Sequence, residues 1–385
     1  MKIYLICVAA FFLAFNVLIV RNGALTGGDT TRYTTGADTL LENGQISGKA
    51  KMYAGYIGFI AALKIFKPSG FNLDKAIVAI QIVVSLIALT CLYSIGKLLF
   101  SPTAGAIAAS LFAINYNAFR WNGFILTESL FTSFIIITCY LLFKASNTPK
   151  FFFLLIPSLI FTIVLRPNGI FMAPIFLVYI ALLFNRKVSA IIFTTLIITT
   201  SLMSPWLYEG LINAMDNEQI VKTIEGGRIF GGADRGWERL SMPKLDAKSG
   251  NGIKDLFLYA TTYPKELASL IFSRSKAFFF LTREDYSFRH NLFCWALMPL
   301  LYGLFIGGVA YRIKSGMGKE HVLLLALVLA QTAVTIFTFV DHDHRYVSYI
   351  ISFIFLYSAY GAEIFVRRIR GRCNEKVWAV TRQHF

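Results

Sequence analysis

Four short polar runs hold most of the residues in this sequence that could do chemistry. The first, Gly27-Gly28-Asp29-Thr30-Thr31-Arg32-Tyr33, directly follows an apolar stretch. Its glycines allow close backbone approach. Asp29 could take a proton from a hydroxyl as a general base, or simply cap a helix. The second run is Arg120-Trp121-Asn122 with Thr127-Glu128-Ser129, and Thr with Glu is also plain helix-capping chemistry. The third is Arg166, before Pro167-Asn168-Gly169. The fourth, Asp341-His342-Asp343-His344-Arg345-Tyr346, is the densest. Alternating Asp and His could bind a divalent metal, Arg345 could bind an anion, or the run could be a solvated turn. Adjacent ligands rarely converge on one ion, so no metal ligand is assigned.

The elements that carry these runs are set by composition. The chain has 385 residues, 56% hydrophobic and 15% charged, against roughly 25% charged in a soluble domain. That balance excludes an ordinary water-soluble fold. The sequence predicts an all-α integral membrane protein, with apolar segments at 3–20, 75–95, 103–118, 124–144, 151–165, 169–184, 188–204, 291–312, 321–340 and 346–366. Each is read as a transmembrane helix, about ten in all, by the length a bilayer requires. The first is treated as a retained helix, because the residues after it, from Arg21 to Gly27, make a poor cleavage site.

Formal charge is +16, and its placement speaks for membrane rather than nucleic acid. Basic residues fall at Lys97, Lys144, Lys150, Arg186, Lys187, Arg312, Lys314 and Lys319, and in the tail 367–385. With both termini cytoplasmic, all of these face inward, as the positive-inside rule expects. No aromatic-interleaved basic face for nucleic acid is present. The polytopic domain is 1–366, with long external segments 21–74 and 205–290. The stretch 53–66 is too short to span and is read as interfacial or re-entrant. The short segments 151–165 and 169–184 meet at Arg166 and could floor a water-accessible cavity near the outer face. Cys7, Cys91, Cys139, Cys294 and Cys373 show no disulfide or metal spacing. Gly226-Gly227 and Gly231-Gly232 read as lid hinges or ordinary turns. Gly303 and Gly307 have the GxxxG spacing.

Read in order, the runs resemble the GT-C superfamily of membrane glycosyltransferases, most closely protein O-mannosyltransferases and lipid A aminoarabinose transferases. The resemblance rests on Asp29 with Tyr33, Ala37, Leu41 and Gly44, then Thr127-Glu128-Ser129, Arg166-Pro167-Asn168-Gly169, Pro205-Trp206 and Arg345-Tyr346. The family often shows an acidic pair in the first loop, whereas Thr30 follows Asp29 here.

The resemblance implies a GT-C-like helical bundle and a polyprenyl-phosphate sugar donor, with a glycan, a lipid-linked glycan or a protein as acceptor. It implies Asp29 as the base of an inverting transfer and Arg345, then Arg166, for the leaving phosphate. Glu128 would orient the acceptor or pair with an arginine, while Arg32, Tyr33, His344 and Tyr346 line the substrate site. The expected setting is an inner membrane with the site on the periplasmic or external side, in contact with membrane lipids and with no nucleic acid. An O-antigen ligase or polymerase with a lipid-diphosphate donor, a transporter or flippase, and a scaffold are the rivals.

Overall fold

The computed structural model describes residues 2–21, 23–66, 72–184, 187, 194, 217–231, 238–246, 248–249 and 252–382. The described residues form helices joined by turns and three isolated β-bridges, with no strand among them. In chain order the main helices are α1 (Lys2–Val20), α2 (Thr30–Asn43), α3 (Ala54–Phe66), α4 (Leu73–Leu99) and α5 (Pro102–Ile114). Then come α6 (Glu128–Ala145), α7 (Phe152–Leu165), α8 (Pro167–Ala181), α9 (Asn217–Glu225), α10 (Gly252–Thr262) and α11 (Pro264–Phe280). The last are α12 (Phe288–Ser315), α13 (Lys319–Phe337) and α14 (Arg345–Arg382).

Six helices (α1, α4, α6, α12, α13 and Arg345–Arg370 of α14) are long and apolar enough to cross a membrane. Helix α1 leaves Ile3, Ile6, Val17 and Leu18 exposed and buries only Phe12 and Asn16. A helix apolar on nearly every face belongs in hydrocarbon, where all its backbone groups are satisfied internally. The chain is thus an all-α polytopic membrane protein, as the composition predicts. Every predicted segment coincides with a described helix except 188–204, which lies outside the described residues but for Thr194.

Some boundaries differ for local reasons. Segment 103–118 stops as a helix at Ile114, because Asn115 turns extended (ψ 106°) and its side chain caps the next turn at the Ala118 N–H. Helix α6 starts at Glu128 rather than 124, because residues 123–125 pair with Leu25 as an extended bridge. The external segment 205–290 contains helices α9 to α11, which share a small core of Val221, Ile224, Tyr259, Leu267 and Leu270. Helix α14 runs unbroken across the 366/367 boundary, and Arg367 pairs with Glu363 as the spacing predicts.

Small residues bring the spanning helices together. A Cβ on Gly96 would stand 2.5 Å from the Gly105 Cα, and one on Gly361 would stand 2.1 Å from the Leu304 carbonyl oxygen. Close crossings of this kind are the usual packing device between membrane helices. They clamp α4 on α5 and α14 on α12. Buried on most faces of its first half, α14 is the central post of the bundle, and its N-terminal residue is Arg345.

Candidate active site

The site assembles where the end of α1 is stitched to the start of α6. Leu25 N–H donates to the Gly123 carbonyl at 2.8 Å, and Ile125 N–H donates back to Leu25 at 2.9 Å. The Thr30 hydroxyl donates to the Ile125 carbonyl at 3.0 Å. These bonds carry Asp29, at the head of α2, toward Thr127-Glu128 at the head of α6. Asp29 occupies the N-cap position, yet its carboxylate makes no capping bond. One oxygen instead meets Arg32 Nη1 at 2.7 Å and the other meets Arg345 Nη1 at 3.4 Å.

Arg345 is shared by three carboxylates. Besides Asp29, its Nη2 and Nε lie 2.8 and 2.9 Å from Asp341 Oδ1, and its Nη1 lies 3.6 Å from Glu128 Oε1. Glu128 Oε1 also accepts from Arg166 Nη1, which donates to the Thr127 hydroxyl at 2.5 Å. Arg166 sits in the extended link between α7 and α8, 5% exposed, with its guanidinium over the rings of Tyr349 and Tyr53. The expected cavity floor is therefore a buried ion pair at Arg166, because Glu128 (1% exposed) draws the guanidinium inward. Guanidinium and carboxylate alternate along the chain Arg32–Asp29–Arg345–Glu128–Arg166, with Asp341 as a side branch.

Aromatic and amide groups hold this chain from below. Tyr33 is buried against Tyr53 and Tyr56, with ring centroids 5.1 and 5.2 Å apart. Burial keeps its phenol far above the usual range and therefore protonated. Tyr56 donates to Gln81 at 2.9 Å, and the Gln81 amide donates to the Asn122 and Phe124 carbonyls. Asn122 in turn donates to Asn16 of α1 and accepts from Ser129 of α6. Gln81 and Asn16 escaped sequence reasoning, since one polar residue inside an apolar run gives no periodic signal. Tyr346 packs on Phe339 and Tyr349.

The turn 341–344 sends its side chains in different directions. Asp341 goes to Arg345, and His342 Nε2 goes to Asp285 at 3.1 Å. Asp343 offers its carbonyl to Arg120. His344, in left-handed backbone at φ 63°, meets Arg283 Nη2 through Nδ1 at 3.0 Å. No group of three His, Cys, Asp or Glu among the described residues could hold a metal ion, so the alternation that invites a metal reading does not build a site. Arg283 was also missed, being one arginine among many in a long external segment. Burial lowers its pKa to about 10, so it stays cationic at neutral pH. Burial first, then Arg283, lowers that of His344 to about 2.

Two of the glycines read as hinges pack closely against neighbouring residues. Gly227 has φ 58°, and a Cβ there would stand 1.7 Å from the Leu240 carbonyl oxygen, while Gly231 lies against the Phe339 ring. Gly232 lies outside the described residues.

Residues 56–208 match the family model of dolichyl-phosphate-mannose-protein mannosyltransferase. That span includes Glu128 and Arg166 but neither Asp29 nor Arg345. No curated protein sequence matches the chain significantly. Among solved structures, the Archaeoglobus fulgidus oligosaccharyltransferase in its apo form superposes with a TM-score of 0.55 at 15% identity, covering 97% of this chain and 51% of that one. The same organism's AglB in complex with an inhibitory peptide and a dolichol-phosphate gives 0.55 at 16% identity, with 97% and 51% covered. Its form tethered to an acceptor peptide containing the NVT sequon gives 0.53 at 14%, with 95% and 49% covered. The chain spans about half the length of these structures, and at this identity the likeness is one of fold. The match over 56–208 and the superposition over 97% of the chain bear out the resemblance: the chain has the fold of the GT-C membrane glycosyltransferases.

Proposed function

We propose that this protein transfers a sugar from a polyprenyl-phosphate donor to an acceptor hydroxyl at the external face of an inner membrane, with inversion and with Asp29 as general base. The observation that carries the reading is the position of Asp29 in the chain of charges. It is the carboxylate with room to meet an acceptor, at 27% side-chain exposure. Glu128 is 1% exposed and bonded to Arg166.

Charge balance sets the order of events. Before donor binds, the two oxygens of Asp29 are engaged by Arg32 and Arg345. A donor phosphate competes for Arg345, whose planar fork suits phosphate as well as carboxylate. Drawing Arg345 toward phosphate loosens its hold on Asp29. The acceptor oxygen then attacks the anomeric carbon while its proton passes to Asp29. The bond from that carbon to the phosphate oxygen breaks, and polyprenyl phosphate leaves with the electron pair. Arg345 stabilises the charge that grows on the leaving oxygen, with Arg166 holding Glu128 away from it. Tyr33 and Tyr346 supply aromatic walls, and His344 supplies a neutral donor. A glycan, a lipid-linked glycan or a protein can each present the required hydroxyl.

The test is transfer from a synthetic polyprenyl-phosphate monosaccharide by purified wild-type and Asp29→Asn protein. Loss of roughly a hundredfold or more in rate, with donor binding kept, is the expected result. Equal rates would place the base elsewhere. No turnover by wild type with any lipid-monophosphate donor would overturn the functional reading itself.

A further inference from the structure

The segment between α11 and α12 brings a second cationic centre to the turn 341–344. Arg283 is buried, and its donors reach the carbonyls of Ala277 at 3.0 Å, Thr282 at 2.7 Å and His342 at 3.2 Å. No carboxylate among the described residues lies within ion-pair distance of it. Its remaining nitrogen, Nη2, faces His344 Nδ1 at 3.0 Å. A guanidinium has donors only, so Nδ1 must be the acceptor and the ring proton must sit on Nε2.

That Nε2–H is buried and meets no acceptor, in a residue 3% exposed. A buried donor left unmade costs about 1–3 kcal/mol. The left-handed backbone of His344 adds about 1–3 kcal/mol of strain for a residue other than glycine. Both costs fall on one side chain. Its neighbours make the surroundings electropositive: half-buried Arg120 has an Nε that is also buried and without an acceptor. His290 lies parallel to the His344 ring at 6.4 Å, and Tyr286 stands edge-on at 5.5 Å. His342 is occupied by Asp285, and Asp343 turns its side chain to solvent. Around Arg345 each guanidinium is ion-paired with a carboxylate, whereas here two form no ion pair among the described residues. An unmade donor beside two guanidiniums that form no ion pair, with Asp341, Asp285 and Asp343 acting on Arg283 only from farther off, fits an anionic oxygen.

We propose that Arg283 is a positioning residue that holds His344 in the neutral Nε2–H form and so presents that N–H, beside Arg120, to an anionic oxygen of the lipid-phosphate donor. The proposal rests on the functional reading above, which supplies the lipid phosphate. Burial and Arg283 keep His344 unprotonated throughout the working pH range, so its donor strength does not change with pH.

The test uses a synthetic polyprenyl methyl phosphodiester, whose single charge does not titrate near neutrality, and measures its affinity for the full-length protein between pH 5.5 and 8. Wild type is expected to show no titration step from His344. His344→Asn, which tolerates the left-handed backbone but is too short to place an N–H at the Nε2 position, should weaken binding about tenfold without adding a step. Arg283→Met, which takes the donor away from Nδ1, should weaken binding about as much, because the ring proton is no longer held on Nε2. The double variant should bind no more weakly than either single variant, and Arg283→Lys, which restores a donor to Nδ1, should recover the affinity. Unchanged affinity in His344→Asn would overturn the proposal, even if Arg283→Met fails to fold. So would additive losses in the double variant. If wild type binds no lipid phosphate at any pH, the functional reading falls and takes this proposal with it.

Discussion

A guanidinium among three carboxylates cannot serve them equally, and the spacing around Arg345 ranks them. Asp341 takes the short contacts, while Asp29 and Glu128 sit at 3.4 and 3.6 Å. The long contacts are the ones a phosphate can displace. Two substitutions separate the roles. Asp29→Asn breaks partly exposed pairs worth about 0–1 kcal/mol each, so the melting temperature should hardly move while transfer falls. Glu128→Gln leaves Arg166 buried without its counter-charge, a loss of about 3–5 kcal/mol. That variant should unfold several degrees earlier in a thermal melt in detergent, whatever its activity. Equal melting of Glu128→Gln and wild type would mean that the buried pair contributes nothing to stability. The charged members of the chain were legible in the sequence, because a polar run at the mouth of an apolar segment is conspicuous. What stayed hidden was partnership: no spacing says that Asp29 reaches across 316 positions to Arg345.

At the scale of elements, the heads of helices bear the site and the crossings of helices hold those heads in place. Arg345 opens α14, and α14 is locked to α12 where Gly361 meets Leu304 and Gly308 meets the Tyr357 carbonyl. Gly361→Ala must push the two helices apart. It should lower both stability and transfer, although it lies far along α14 from the chemistry. Gly303→Ala has open space around its Cβ and should match wild type in both assays. A melt in which the two variants behave alike would deny the crossing its role. The sequence draws attention to the GxxxG spacing of Gly303 and Gly307, but neither would meet a neighbour with a Cβ. The glycine that α14 packs on is Gly308, one position further on. Apolar runs fix where helices lie, since length and hydropathy are properties of one segment. Which face of a uniformly apolar helix meets another is a property of the pair. The same limit hid α9 to α11, whose apolar residues face a small core of their own.

For the molecule as a whole, the turn 341–344 joins two centres of different charge character. On one side Arg345 belongs to a balanced chain of guanidinium and carboxylate; on the other, Arg283 and Arg120 flank a neutral histidine and form no ion pair among the described residues. Keeping that histidine neutral has a consequence for the fold that does not depend on any substrate. The folded protein holds His344 unprotonated down to about pH 2, whereas an unfolded chain takes up that proton near 6.5. Below pH 6.5 the unfolded state therefore binds more protons, and stability falls as pH falls. Above 6.5 neither state is protonated at this position, and its contribution is constant. The slope is at most about 1.4 kcal/mol per pH unit for one group. Wild type should lose melting temperature between pH 7.5 and 5.5, and His344→Gln should lose measurably less over the same interval. Parallel losses in both proteins would mean that His344 takes up its proton without disturbing the fold. The flat donor affinity expected of wild type and this acid sensitivity of folding share one physical origin, a buried imidazole kept neutral beside a buried guanidinium.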